Sequence, residues 1–168
     1  MKQILIVFFS LLLSGCIKEV PSGSRLIVGD GLPDFEVEIN DGSIISSRSL
    51  KGSVSVIMFF HTSCYDCQQT LPVMQQVYDE YSSKGIIFLL ISRAQSQEDV
   101  ESYFEQNALN MPFAGQEDRT IYEKFARSGI PRIYINDING TIQCQFKDSP
   151  IPTYEELCSA IKIVLQKR

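Results

Sequence analysis

The chain has 168 residues, of which 44% are hydrophobic and 21% charged, and its formal net charge is −5 at pH 7. This length suits one domain with a sizeable core, and the composition excludes a chain that is disordered throughout. An acidic chain without a basic run is poorly suited to a nucleic-acid backbone, so we expect no nucleic-acid partner.

The N-terminus is typical of a targeting segment. Lys2 precedes an apolar run (4–13) that is too short to span a hydrocarbon core, which needs about 20 residues. The run ends in Leu-Ser-Gly-Cys, with the cysteine at Cys16, and this quartet resembles the lipobox of bacterial lipoproteins. The resemblance implies cleavage before Cys16 and lipidation of that residue. An ordinary signal peptide or an N-terminal anchor is the alternative.

The lipobox resemblance divides the chain into three parts. These are a signal peptide (1–15), a lipidated cysteine with a flexible tether (16–26) and a folded domain (27–168). Acyl chains would anchor the domain to a bacterial membrane without a spanning helix. Because Ile17 follows the cysteine, where enteric bacteria use Asp as a retention signal, we expect the outer membrane rather than the inner one. The domain would then lie in the periplasm or at the cell surface.

Export would place the other four cysteines in an oxidising compartment, where disulfides persist. Four cysteines allow three pairings, and the two-residue spacing favours Cys64 with Cys67. Cys144 lies on a predicted strand and Cys158 on the first turns of the last predicted helix, which could pack on that strand. Both a structural disulfide between them and two buried free thiols remain open.

The hydrophobic pattern predicts a mixed chain of strands and helices. The N-terminal half is predicted to form a hairpin (35–39 and 43–46), a buried strand (54–60), a helix (64–83) and a second buried strand (86–91). A helix capped by Ser96, a short edge strand or loop (110–115) and a short helix around 121–125 follow. The chain is predicted to end with a second hairpin (132–136 and 141–147) and a last helix that has a Thr153–Glu156 capping box. The first strand-helix-strand unit should be a parallel crossover. Ligand chemistry in such sheets collects at the carboxyl ends of strands, and Cys64 follows one of them.

Two cysteines at the start of a helix can have different chemical roles. Cys64 would lie where free backbone N–H groups favour a thiolate, and Cys67 would lie one turn further in, more covered. We therefore predict that Cys64 attacks a partner disulfide and that Cys67 resolves the mixed disulfide.

The residues around this pair resemble the thioredoxin superfamily. The resemblance rests on the CxxC motif after a Phe-rich strand, with Ile130 and Pro131 downstream. The pattern from Gly29 to Phe35 and the insertion at 95–120 narrow it to the TlpA and ResA proteins. It implies an α/β, thioredoxin-like fold with a central mixed sheet, an N-terminal β-hairpin extension and an inserted helix and strand after the first βαβ unit. It also implies that Pro131 is a cis-proline facing the CxxC pair and that the Ile130 backbone holds a partner peptide.

The function implied by this resemblance is that of a membrane-tethered, extracytoplasmic thiol-disulfide oxidoreductase without a cofactor. Its partners would be protein thiols and disulfides of the cell envelope and an upstream redox protein. The sequence departs from the family where Ser63 replaces a Trp, Tyr65-Asp66 replaces Gly-Pro or Glu-Pro, and Thr70 replaces a Glu. The Asp66 charge should oppose a neighbouring thiolate, which favours a reductant or isomerase over a strong oxidant. Which group takes the proton from Cys67 is open.

Several other interpretations of the motif compete with this one. His61, the only histidine, could modulate the thiolate together with Tyr65 and Asp66, although a polar residue at a strand end is the simpler interpretation. A zinc site would need a second cysteine knuckle that the chain lacks, so we expect no metal. A peroxiredoxin would have a threonine three residues before the cysteine, whereas Thr62 stands two before. The rival from another class is a non-enzymatic lipoprotein that uses the fold to bind partners, with Cys64–Cys67 as a fixed disulfide.

Overall fold

The structure, a computed structural model, describes residues 23–167. The predicted signal peptide, the lipidation of Cys16 and the membrane placement therefore lie outside the described residues. The strands are β1 (Glu36–Glu38), β2 (Ile44–Ser46), β3 (Ser55–Phe60), β4 (Ile87–Ser92), β5 (Phe113–Ala114), β6 (Arg132–Asn136) and β7 (Ile142–Phe146). The α-helices are α1 (Tyr65–Tyr81), α2 (Gln97–Gln106), α3 (Tyr122–Phe125) and α4 (Tyr154–Leu165).

Five strands form a central mixed sheet in the order β5-β4-β3-β6-β7. Strand β4 runs parallel to β3 and to β5, whereas β6 runs antiparallel to β3 and to β7. The predicted parallel crossover and the C-terminal hairpin are therefore confirmed. Strands β1 and β2 form a separate antiparallel hairpin, as expected for the N-terminal extension.

Strand β3 lies in the middle of the five-stranded sheet, and all six of its side chains are buried. Its near-continuous apolar sequence suits a strand covered on both faces. The Phe59 ring meets three aromatic rings, with centroids 5.6 Å from Tyr122, 4.8 Å from Phe125 and 6.2 Å from Tyr134. This aromatic cluster joins β3 to β6 and α3, and so anchors the strand that leads into the CxxC motif.

Removing the centre of this cluster should destabilise the whole domain. For Phe59→Ala we expect a loss of about 3–5 kcal/mol in the free energy of unfolding, because the truncation leaves a cavity among rigid rings. Urea denaturation followed by circular dichroism measures the loss. The control is Ile44→Ala on the β2 surface, where 61% of the residue is exposed and the expected change is within about 0.5 kcal/mol. Equal losses in the two variants would contradict this account of the core.

The helix ends follow the predicted capping chemistry at two places. The Ser96 hydroxyl caps α2 by accepting a hydrogen bond from the Asp99 N–H at 3.2 Å. Thr153 and Glu156 form the predicted capping box of α4, which packs against α1 and β6. Helix α1 ends two residues before the predicted position and continues as a short 3₁₀ turn, Ser82–Lys84.

Residues 23–26, which the sequence assigned to the end of the tether, are bonded to the rest of the domain. The Gly23 carbonyl accepts a hydrogen bond from the Arg127 N–H at 2.6 Å. The Ser24 hydroxyl oxygen accepts from Arg132 Nη1 at 2.7 Å and from Gln145 Nε2 at 2.8 Å. The polar composition of this stretch suggested a flexible tether, but Gly23 bonds to the backbone of Arg127, and Ser24 bonds to the buried Arg132 guanidinium. The folded unit therefore includes residues 23–26.

Candidate active site

Cys64 itself caps helix α1. Its backbone is extended (φ −82°, ψ 120°), its N–H donates to the His61 carbonyl at 3.0 Å, and its sulfur accepts a hydrogen bond from the Cys67 N–H at 3.4 Å. By residue type, Thr62 or Ser63 would be the usual cap, but the turn after β3 places the cysteine sulfur where a capping oxygen would lie. The sulfur thus receives a helix N–H directly, which favours negative charge on it.

The loop before β6 lies opposite Cys64. The peptide bond between Ile130 and Pro131 is cis, as the resemblance implied. The Cys64 thiol is directed at the Ile130 carbonyl oxygen, 3.6 Å from the sulfur. Cys64 is half-buried and Cys67 is fully buried. The structure therefore brings together Cys64, Cys67, Ile130 and Pro131, and it exposes only the first sulfur to an approaching partner.

The two thiols differ in their surroundings. Burial raises the pKa of the Cys67 thiol strongly, and its interaction with the Cys64 side chain raises this pKa further. The backbone of His61 and the charge of Arg93 act in the opposite direction, with smaller effects. Cys67 is therefore a neutral thiol near pH 7, which suits a residue that reacts second.

This difference predicts selective alkylation of the reduced protein. At pH 7, iodoacetamide should modify Cys64 at least about 100-fold faster than Cys67, because Cys67 is both protonated and covered. Since the pKa of Cys67 is raised, its modification rate should still climb above about pH 9, where an ordinary thiol is already mostly ionised. Peptide mapping by mass spectrometry gives both rates, with the urea-unfolded chain as control. Faster modification of Cys67 would contradict the assignment.

The other residues singled out around the motif have defined positions. His61 Nδ1 accepts a hydrogen bond from the Ser63 N–H at 3.1 Å, so the imidazole turns towards the serine. Tyr65 is 71% exposed beside the first cysteine. Asp66 is half-buried in the first turn of α1, and its carbonyl accepts a hydrogen bond from the buried Thr70 hydroxyl at 2.7 Å. Thr70 therefore acts within the helix.

Cys144 and Cys158 are free thiols in this structure, as are Cys64 and Cys67. The Cys158 sulfur lies 3.9 Å from a Glu80 carboxylate oxygen that also accepts a hydrogen bond from the Tyr154 hydroxyl. Burial raises the pKa of the Cys144 thiol. The pairing of Cys144 with Cys158 stays a prediction.

Residues 23–167 contain neither a cluster of metal ligands nor a helix that could cross a membrane. Within that range, His, Cys, Asp and Glu side chains form no group of three or more that could hold a metal ion. In the same part of the chain, no helix has the length and apolar character needed to cross a bilayer. The CxxC pair therefore has no third ligand of these types among the described residues.

The sequence did not indicate a set of hydrogen bonds, called the clamp below, in which Gln95 and Gln68 hold Thr62 in the turn before Cys64. The Thr62 N–H donates to Gln95 Oε1 at 3.1 Å, and Gln95 Nε2 donates back to the Thr62 hydroxyl. Gln68 Nε2 donates to the Thr62 carbonyl at 2.8 Å. All three polar groups of Thr62 are thus bound by two glutamines. This clamp fixes the β4–α2 connection, which carries Gln95, to the turn that positions Cys64.

Arg93 is a second residue missed from the sequence. It directly follows β4, and its N–H donates to the Phe60 carbonyl at the end of β3, at 2.8 Å. The residue is half-buried, and its guanidinium lies over the Tyr122 ring, 5.2 Å from the centroid. The Tyr122 hydroxyl in turn donates to the Gly129 carbonyl at 2.8 Å, just before Ile130. A residue directly after a parallel strand next to β3 is the signal that could have located Arg93.

The mixed sheet, the helix that begins at the CxxC pair and the cis-proline loop opposite it define a thioredoxin-like protein. The chain belongs to the AhpC/TSA family, whose model matches residues 28–145.

Comparisons with individual proteins agree with this class. The chain is 23% identical over 146 residues to the thiol-disulfide oxidoreductase ResA of Oceanobacillus iheyensis, covering 84% of this chain and 76% of that protein. Identity to ResA of Bacillus thuringiensis is 24% over 118 residues, which is 70% of this chain and 68% of the relative.

Solved structures share the fold. A thioredoxin-family thiol:disulfide interchange protein of Chlorobium tepidum superposes with a TM-score of 0.71 at 23% identity, over 83% of this chain and 98% of that one. The thioredoxin domain of a thiol-disulfide oxidoreductase from Bacteroides vulgatus also gives 0.71, at 20% identity, over 83% of this chain and 99% of its own. At these identities the similarity establishes the fold.

Proposed function

We propose that the protein is a thiol-disulfide oxidoreductase that exchanges disulfides with other proteins through Cys64 and Cys67, outside the cytoplasm. The observation that carries the proposal is the placement of two unequal thiols. Cys64 caps a helix and faces the Ile130–Pro131 loop, whereas Cys67 is buried behind it. The activity named for the ResA relatives supports the same assignment.

In the proposed reaction, the Cys64 thiolate attacks one sulfur of a partner disulfide. A Cys64–partner bond forms, and the other partner sulfur leaves as a thiolate that takes up a proton. Cys67 then gives up its proton and attacks the Cys64 sulfur, which releases the second partner sulfur. Two electrons pass from the dithiol to the partner, and the Cys64–Cys67 disulfide forms. An upstream dithiol partner reduces this disulfide again and completes the cycle.

We propose that the partner chain binds along the Ile130–Pro131 loop. Its Ile130 carbonyl already faces the Cys64 sulfur, and Ile130 itself is buried. An extended partner segment can pair with this backbone while its own cysteine lies against Cys64. Tyr65, which is exposed beside Cys64, would border the same surface.

We propose that electrons flow from this protein to its partners, as reductant or isomerase. A strong oxidant needs a reduced form stabilised by a thiolate. Asp66 places a negative charge in the first turn of α1, two residues after Cys64. This charge opposes the effect of the Cys67 N–H that the Cys64 sulfur accepts. It therefore works against a stabilised Cys64 thiolate and against strongly oxidising behaviour.

The test uses the purified full chain in three assays. Reduction of insulin disulfides by dithiothreitol should be accelerated by the protein, and reactivation of scrambled ribonuclease should be accelerated by its reduced form. Rapid oxidation of reduced ribonuclease, without either of these effects, would reverse the proposed direction. A protein that is inactive in all three assays would fit the partner-binding alternative instead.

The membrane anchor is a separate part of the proposal and rests on the Leu-Ser-Gly-Cys quartet that ends at Cys16. A chain lipidated at Cys16 should incorporate labelled palmitate and sediment with the membranes, in the outer-membrane fraction. Cys16→Ser should lose both the label and the membrane association. A serine variant that keeps the label would show that lipid is attached elsewhere or that the label is unspecific.

A further inference from the structure

Arg93, the residue that directly follows β4, has no acidic partner among the described residues. Among residues 23–167, ion pairs join Lys84 to Glu80 and Arg119 to Glu123, and none involves Arg93. Arg93 is half-buried, and its guanidinium lies over the Tyr122 ring. Such a group has given up part of its hydration without gaining a carboxylate, and its planar fork of donors matches a carboxylate well.

Two acidic side chains near Tyr122, those of Asp118 and Glu123, are engaged with other residues. The Asp118 carboxylate accepts from the Thr120 N–H at 2.9 Å and from the Thr120 hydroxyl at 2.7 Å. Glu123 pairs with Arg119 at 3.7 Å, and the Arg119 guanidinium lies 5.4 Å from the same Tyr122 ring. The two arginines therefore share one aromatic ring, but only Arg119 has an acidic partner there.

The position of Arg93 is fixed by several contacts that do not involve its charge. Its N–H is held by the Phe60 carbonyl, the next N–H, that of Ala94, donates to the Asp118 carbonyl at 2.9 Å, and Gln95 is clamped to Thr62. These contacts fix the backbone from which the side chain starts, and the Tyr122 ring lies beneath the guanidinium. The charge is therefore partly preorganised for a ligand.

The same contacts place Arg93 beside the cysteines. Its backbone is bonded to the last residue of β3, and the ring beneath its guanidinium is bonded to Gly129, next to Ile130. The Ile130 carbonyl in turn accepts a hydrogen bond from the Cys64 thiol. In the proposed reaction, a peptide that offers a disulfide to Cys64 lies along the Ile130–Pro131 loop. The side chains that flank its cysteine would then come within reach of Arg93.

We propose that Arg93 forms a carboxylate-binding subsite that selects protein partners carrying Glu or Asp next to the reactive cysteine. The proposal rests on the oxidoreductase function proposed above and adds a substrate class to it. A carboxylate is the anionic group that a polypeptide partner supplies. Because the subsite lies at the reacting sulfur, it affects how fast the partner disulfide is reduced and leaves the exchange chemistry itself unchanged.

The experiment compares two self-quenched fluorescent peptide disulfides that differ only in Glu or Gln beside each cysteine. The full-length protein is reduced beforehand and mixed with each peptide in a single turnover. Each rate is divided by the rate of the same peptide with dithiothreitol, which removes intrinsic differences between the two disulfides. We expect wild type to prefer the Glu peptide about tenfold, the discrimination typical of one charge-assisted contact.

The variants separate the subsite from general charge effects. Arg93→Gln should abolish the preference, Arg93→Lys should keep part of it, and Arg119→Gln should keep it, although it removes the same charge from the same ring. The wild-type preference should also shrink between 20 mM and 500 mM NaCl, since salt screens a partly exposed charge pair. This salt measurement tests the proposal even if Arg93→Gln fails to fold.

Other outcomes would overturn the proposal. Wild type without a preference, Arg93→Gln with the full preference, or an equal loss in Arg119→Gln would each show that Arg93 forms no specific subsite. In these cases the oxidoreductase function stands, because both peptides are still reduced. If wild type reduces neither peptide, the proposed function fails first, and the substrate class fails with it.

Discussion

Replacing Cys64 by serine is expected to lower the rate of protein-disulfide reduction at least about 1,000-fold, because a neutral hydroxyl cannot take over the attack made by a thiolate. The insulin assay with dithiothreitol as electron donor measures this loss. The fold should be kept, since serine is also a favourable helix cap and can accept the Cys67 N–H.

Cys144→Ser provides the matched control for this prediction. It also removes one thiol, but it lies on β7 and makes no contact with the CxxC pair described above. We expect it to retain activity close to wild type. Activity of Cys64→Ser comparable to that of Cys144→Ser would show that Cys64 is not the nucleophile, and would favour the partner-binding interpretation.

The second large effect is expected for Cys67→Ala, which should block the second step of the reaction but leave the first attack intact. Cys64 can still attack, so a single equivalent of a peptide disulfide should be opened and one half should remain covalently bound. Resolution by Cys67 is lost, so turnover should fall at least about 100-fold while the mixed disulfide accumulates. Intact-protein mass spectrometry detects the adduct and shows its removal by dithiothreitol.

Two results of that experiment would contradict the assigned order of events. One is an adduct that forms on the Cys64→Ser protein but not on Cys67→Ala, which would exchange the two roles. The other is full turnover by Cys67→Ala, which would mean that a second thiol resolves the intermediate. Cys144 and Cys158 are the remaining thiols that mapping of the described domain would then have to test.

Much of the sheet could be predicted because its signals are local. The apolar run that ends at Phe60 predicted a central strand, and the strand observed is Ser55–Phe60. Strand β6 has the predicted bounds, and the Thr153–Glu156 capping box forms as expected. Each of these depends on spacing within a few residues, which the sequence displays directly.

The details of the site could not be predicted in the same way because they depend on distant pairs. Thr62 and Gln95 lie 33 positions apart, and neither residue type indicates that the two will bind each other. The position of Arg93 depends on the Tyr122 ring of α3 and on the Phe60 carbonyl at the end of β3. The capping role of Cys64 also depends on the geometry of a turn, in which Thr62 and Ser63 looked like better caps by type.

The prediction for residues 23–26 shows a related limit. A run of glycine and serine is typical of a flexible linker, and composition alone cannot reveal a buried cation that binds it. Arg132 is almost fully buried on β6, and Ser24 supplies one of its hydrogen-bond acceptors. The linker composition was correctly recognised, but its boundary was set by a partner more than a hundred residues away.

A redox titration of the full chain tests the central claim most directly. The protein is equilibrated in dithiothreitol or glutathione buffers of known potential, and the Cys64–Cys67 pair is followed by thiol trapping and peptide mapping. We predict a reversible two-electron transition confined to this pair, with a midpoint at about −250 mV or lower, as expected for a reductant. A midpoint between about −120 and −180 mV would contradict the proposed direction. A pair that never forms a disulfide, or that stays oxidised throughout, would contradict the enzymatic function itself.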